Sequence, residues 1–155
     1  MAGNSPGRAR HLARELLVKA LYQWQVAEHE LGELIGQFET LPAYARADQQ
    51  YFRQMLAIVM QNSETLDRSI SDFSDRGIEQ LDSVGRSILR LAFAELERRP
   101  DVPAKVVINE AVELAKRYAA ADSFRFVNAV LDKAAKDRLG GEADREGRKP
   151  KAGGS

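Results

Sequence analysis

The stretch from Asp101 to Lys136, DVPAKVVINEAVELAKRYAAADSFRFVNAVLDKAAK, leaves little freedom in what this chain can fold into. Pro103 fits the first turn of a helix, where its missing N–H has no partner to lose. Behind it Val107, Ile108, Ala111, Leu114, Ala115 and Tyr118 recur at three- and four-residue spacing, the period of a helix buried along one face. The alanine run 119–121 leads to Asp122, a good N-cap residue for a second helix. That helix carries Val127, Val130, Leu131 and Ala134 inward, while its first turn holds Phe124, Arg125 and Phe126. Rings and a guanidinium beside free helix-start amides fit a phosphate and a stacked base better than an ordinary solvated surface.

The same helical grammar runs through the rest of the chain. A first helix is expected from about Pro6 to Ala27, and a short one near Glu30 to Glu39 with Leu31, Leu34, Ile35 and Phe38 on one face. A third starts near Asp48 and uses Phe52, Met55, Leu56 and Val59. Ser63 caps a fourth, carrying Leu66, Ile70 and Phe73 and ending at Gly77. Asp82 caps a fifth, with Ile88, Leu91, Ala92 and Leu96 inward, before Pro100. No period-two alternation is long enough to argue for strands. The fold expected is all-α, a compact bundle of about seven helices in one domain over residues 1–139. Residues 140–155 are rich in Gly, Lys, Arg and Glu without a large apolar side chain, and read as a disordered tail.

Composition bounds the function class. With 155 residues, 44% hydrophobic and 30% charged, the chain suits one soluble domain with its own core. It has no Cys, so disulfides and thiolate metal sites are excluded and a cytoplasmic home is expected. No apolar run approaches the roughly 20 residues that span a bilayer. Formal net charge is zero, so a nucleic-acid partner requires local positive charge. It is local at the N-terminus, where Arg8, Arg10 and Arg14 occur with no acidic residue from Met1 to Arg14.

On the first helix, at about 100° per residue, Ala9, Leu12, Ala13, Leu16, Leu17, Ala20, Trp24 and Ala27 share one broad stripe. Tyr22 falls roughly 160° from the centre of that stripe, close in angle to His11 and Val18 with Arg14 alongside. An exposed ring near guanidinium groups is a common way to hold single-stranded nucleic acid. The competing reading is that Tyr22 packs under a neighbouring element and the arginines are merely solvated.

These strings, taken in order, carry a resemblance. NEAVELAK, Asp122-Ser123, Phe126-Val127-Asn128 and Val130 to Ala135 resemble the C-terminal half of the bacterial antitermination family NusB. RARHLARELLVKALYQWQ (Arg8 to Gln25) is similar to that family's first helix, and YFRQMLAIV, LDRSI and RSILRLAFAEL fall where its middle helices lie. The resemblance covers most of residues 8 to 138. It implies a helical fold of two subdomains and binding to the single-stranded boxA element of nascent ribosomal RNA leaders. It also implies a ribosomal small-subunit partner, NusE, and entry into the transcription elongation complex with other Nus factors. Carried over by position, the RNA-binding residues are Arg10, His11, Arg14 and Tyr22 on the first helix. Tyr118, Asp122, Arg125, Phe126 and Asn128 lie across the groove. His11 stands where relatives often have Arg. Gly85 stands where some relatives have an acidic residue on the NusE face, which puts that contact in question.

An enzyme is the first alternative, and the residues argue against it. His11 and His29 have no metal-binding motif around them, no GxxxxGK[ST] or HExxH pattern occurs, and no cofactor is implied. Glu110 and Glu113 share a helix side, but Lys116 and Arg117 are in reach of Glu113 for an ordinary ion pair. Related domains are fused to RNA cytosine methyltransferases, for which this chain has no catalytic domain. The second alternative is a protein-binding helical scaffold or homodimer, which the sequence leaves open.

Overall fold

The computed structural model describes residues 5–75 and 77–148. Seven α-helices follow one another: α1 Pro6–Ala27, α2 Leu31–Glu39, α3 Gln49–Gln61, α4 Ser63–Asp72, α5 Ser83–Arg98, α6 Ala104–Tyr118 and α7 Ser123–Arg148. Two 3-10 turns, Pro42–Arg46 and Ile78–Gln80, complete the order, and no strand occurs among the described residues. α1 to α3 form an N-terminal subdomain and α4 to α7 a C-terminal one.

α5 joins the two. It packs on α1 and α3 on one side and on α4, α6 and α7 on the other. Such a helix must be buried nearly all round, and Ile88, Leu89, Leu91, Ala92, Phe93, Ala94 and Leu96 are all core residues. At roughly 1.5–3 kcal/mol for each large apolar side chain removed from water, this helix is a principal source of cohesion between the subdomains. α1 lies against it, with Arg14 donating to Glu95 and Gln25 Nε2 donating to the Ser83 carbonyl at 3.0 Å.

The ends of the helices follow local chemistry. Ser5 Oγ accepts from Arg8 N at 3.1 Å, Pro6 opens α1, and Glu28 closes it in the left-handed region at φ 52°. Glu30 N donates to Glu33 Oε1 at 3.1 Å at the start of α2. Asp48 caps α3 by accepting from Tyr51 N at 3.1 Å.

Several expectations are corrected. α4 is capped in position by Asn62 rather than Ser63, because α3 runs to Gln61 and one residue serves as end and start. α4 stops at Asp72, short of Gly77, as Ile78–Gln80 takes a separate 3-10 turn that buries Ile78. Val18 and Leu21 are buried along with the predicted α1 stripe, whereas Ala27 is exposed, because neighbours cover more than one face of this helix. α7 is helical through Arg148, beyond Gly140 where the disordered tail was expected. The remainder of that tail, 149–155, lies outside the described residues.

Candidate nucleic-acid interface

The N-terminal half of α1 enters a polar junction. Arg10 Nη2 lies 3.2 Å from Asp48 Oδ2, and its guanidinium stacks 4.0 Å from the centre of the Tyr51 ring. His11 Nδ1 is 2.8 Å from Glu110 Oε1 on α6. Arg14 Nε donates to Glu95 Oε1 at 2.9 Å, and its Nη1 is 3.5 Å from Glu110. The Tyr51 hydroxyl donates to the same Glu95 oxygen. Arg14 and Glu95 are 3% and 2% exposed, so this is an interior ion pair.

Its electrostatics are self-consistent. Burial tends to lower the Arg14 pKa, but the charge and hydrogen bond of Glu95 outweigh it and hold the guanidinium above its ordinary value. Burial first, and then the Glu95 charge and hydrogen bond, push the Tyr51 phenol well above its usual range. The phenol therefore remains a donor, as the carboxylate requires. The surface role expected for Arg14 is thereby corrected. The guanidinium faces Glu95 on α5 and Glu110 on α6, on a side of α1 that the other helices cover.

One to two turns further along, α1 changes character. Glu15 Oε2 accepts from the Tyr118 hydroxyl at 2.9 Å and from Arg117 Nη1 at 2.8 Å. Burial and this hydrogen bond raise the Tyr118 pKa. Lys19 Nζ and Arg117 Cζ each lie 5.5 Å from the centre of the Tyr118 ring. Tyr22, three residues beyond Lys19 and on the same side of the helix, is 44% exposed. The packed alternative for Tyr22 does not hold. Arg117 pairs with Glu15 rather than with Glu113 as expected, and Glu110 faces α1.

A second groove, of about 540 Å³, runs between α6 and α7. Asn109, Val112, Glu113 and Lys116 line one wall, and Phe124, Arg125 and Asn128 the other. Lys116 Nζ and Arg125 Cζ each lie 5.2 Å from the centre of the Phe124 ring. Asp122 stands at the entrance to α7 in the left-handed region, φ 66°, with its carboxylate 3.4 Å from Arg125 Nε. The extended backbone of an ordinary N-cap is therefore absent at Asp122. Ser123 Oγ instead lies 3.4 Å from Asp82 Oδ1 at the start of α5.

The structure thus puts Tyr22 one turn from Lys19, which reaches the Tyr118 ring, and Arg125 and Asn128 in the α6–α7 groove. Arg10 sits part-buried in an ion pair with Asp48, and His11 part-buried against Glu110. Phe126 does not join: it lines a cavity of about 120 Å³ with Phe73, Asp75 and Lys133 on another side of α7. Residues 124 and 126 are about 200° apart on a helix, so one of the two rings must turn away. Lys19, Asn109, Lys116 and Arg117 were not among the expected residues, whereas Phe124 was read with Phe126 as a ring at the start of α7. The signal was present in α6, where Asn109, Val112, Glu113 and Lys116 repeat at the period of an outward face.

Gly85 is buried at the first turn of α5, where a Cβ would sit 3.0 Å from Asp82 Oδ1. An acidic side chain at that position would have to displace the carboxylate that faces Ser123. Among the described residues no cluster of His, Asp and Glu could hold a metal ion, and no helix is long and apolar enough to cross a membrane.

The sequence profile of the NusB family matches residues 11–136. The chain belongs to the NusB family. The transcription antitermination protein NusB of Pectobacterium carotovorum is 49% identical over 127 residues, covering 82% of this chain and 91% of that protein. The corresponding protein of Alcanivorax borkumensis is 43% identical over 143 residues, covering 92% and 95%. In structure, NusB of T. maritima superposes with a TM-score of 0.73 at 30% identity, covering 87% of this chain and 93% of that one. A second NusB neighbour comes from a crystal structure of the antitermination factors NusB and NusE in complex with dsRNA, with a TM-score of 0.70 at 28% identity. It covers 84% of this chain and 98% of that one.

Proposed function

We propose that this chain is a transcription antitermination factor that binds single-stranded boxA-type RNA together with the ribosomal protein NusE in the cytoplasm. In that role it joins other Nus factors on the elongating polymerase and favours processive transcription of ribosomal RNA operons. The observation that carries the reading is the exposed Tyr22 ring, set one turn from Lys19, whose ammonium together with Arg117 flanks the Tyr118 ring. An unstacked base can lie on such a ring while the cations meet its phosphates. Membership of a family whose relatives are antitermination proteins, one of them solved with NusE and dsRNA, supports an RNA- and NusE-binding role.

The RNA-binding set is Tyr22, Tyr118, Arg125 and Asn128 with Lys19 and Arg117 added. Arg10 and His11 lie at its edge, Asp122 tunes its charge, and Arg14 supports it from beneath. The test is a titration of boxA-type RNA and a scrambled RNA of equal length, with and without NusE, at two salt concentrations. The expected result is preference for boxA, tightening by NusE, and a fall in affinity with salt. Equal binding of both RNAs under all conditions would leave a protein-binding scaffold instead.

A further inference from the structure

Resting on the RNA-binding reading, we infer that the α6–α7 groove is a specificity pocket that takes one unstacked nucleotide of the RNA and reads the edge of its base. Three features make the geometry. The first is the groove itself, about 540 Å³, which is room enough for a single nucleotide rather than a duplex. The second is an aromatic wall with two exposed cations: Phe124 has Lys116 Nζ and Arg125 Cζ each at 5.2 Å from its centre. Lys116 and Arg125 are both exposed. A base that stacks on Phe124 displaces one cation from the ring and leaves it facing the incoming phosphate, so ring and charge are both used.

The third feature is a pair of carboxamides. Asn109 on α6 and Asn128 on α7 both line the groove and both are exposed. Each carboxamide offers a donor pair and an acceptor, the combination that reads a Watson–Crick or Hoogsteen edge. Phosphate-binding cations carry no sequence information, whereas amides on two different helices can distinguish one base from another. Glu113 is the one carboxylate among the groove residues. It disfavours a phosphate at its end of the groove and so directs the backbone toward Lys116 and Arg125.

The experiment measures boxA-type RNA against a panel of single-base variants, using the full chain with NusE. Proteins compared are the parent, Asn109→Ala, Asn128→Ala, Phe124→Leu and Tyr22→Ala, each checked by thermal melt. The parent is expected to prefer one base at one RNA position by about tenfold or more. Asn109→Ala and Asn128→Ala should reduce that preference to within about twofold at that position alone. Phe124→Leu should weaken all RNAs by about tenfold, the loss of one stacked base. Tyr22→Ala should weaken all of them without changing the preference. If the parent prefers boxA but both Asn variants keep its base preferences at every position, the pocket is overturned while RNA binding stands. If the parent does not distinguish boxA from a scrambled RNA, the functional reading falls and the pocket falls with it.

Discussion

The two ends of α1 place the same residue types in opposite roles. Near its start, Arg10, Arg14 and Tyr51 are locked by Asp48, Glu95 and Glu110, with Arg14 and Tyr51 sealed in the interior. Farther along, Lys19 and Arg117 gather round Tyr118, and Tyr22 stands open to solvent. Both are clusters of cations and aromatic rings. What separates them is the carboxylate supply: Arg10 and Arg14 each meet a negative oxygen, whereas in the second cluster Glu15 is shared among Arg117, Tyr118 and, at 3.9 Å, His11. A cation–aromatic cluster holds a fold together when its charges are matched inside, and is free to bind a polyanion when they are not.

The largest test of that contrast is Arg14→Ala. Removing it leaves Glu95 buried with Tyr51 as its remaining hydrogen-bond donor, and loss of one partner from a buried pair costs about 3–5 kcal/mol. Denaturant titration should show this, and RNA affinity of the folded protein should change little. A variant that folds as well as the parent but loses RNA would reverse the roles given to the two clusters.

Tyr22→Ala should do the opposite. Stability should remain within about 0.5 kcal/mol of the parent, as for other exposed positions, while RNA affinity falls by about 1–3 kcal/mol if the ring stacks a base. Paired melts and titrations decide it.

Tyr51→Phe sharpens the description of the interior cluster. Loss of the hydroxyl should cost about 1–3 kcal/mol near neutral pH. The folded-state phenol is raised above its ordinary value of 10, so the folded chain keeps a proton that the unfolded chain loses above that pH. Stability from this group is full below about pH 10 and declines as pH rises toward the folded value. The parent should therefore lose stability more steeply than Tyr51→Phe in unfolding titrations above pH 10, and equal slopes would contradict the burial of this phenol.

The smallest effect belongs to Asp122→Asn. Asn tolerates the left-handed backbone at φ 66°, so the melt should shift by no more than about 0.5 kcal/mol. Removing a carboxylate beside Arg125 should leave RNA affinity equal or higher at low salt, with the gain fading as salt rises. A clear loss would mean that the carboxylate itself contacts the RNA.

Helix positions were legible because each helix carries a long apolar stripe with a recognisable start, as in Ser5-Pro6 and Asp48. Burial of Arg14 was not. A single-helix projection treats the face opposite the stripe as solvent, and Glu95 lies 81 residues away in sequence. The choice between Phe124 and Phe126 was equally hidden, since it depends on which neighbour covers each side of α7. The exposure of Tyr22 was legible because it is an aromatic outside the stripe of its own helix, a property that needs no partner to be seen.

The Arg14–Glu95 pair also sets a clock on synthesis. The 81 residues between them take about 4–16 s to translate at typical bacterial rates. During that interval α1 has left the ribosome with Arg14 but without Glu95, while α2 and α3, made in the meantime, can already cover part of its apolar stripe. Through that interval Arg14 is a cation without its buried partner, so the polar junction of α1 closes only after α5 has been made.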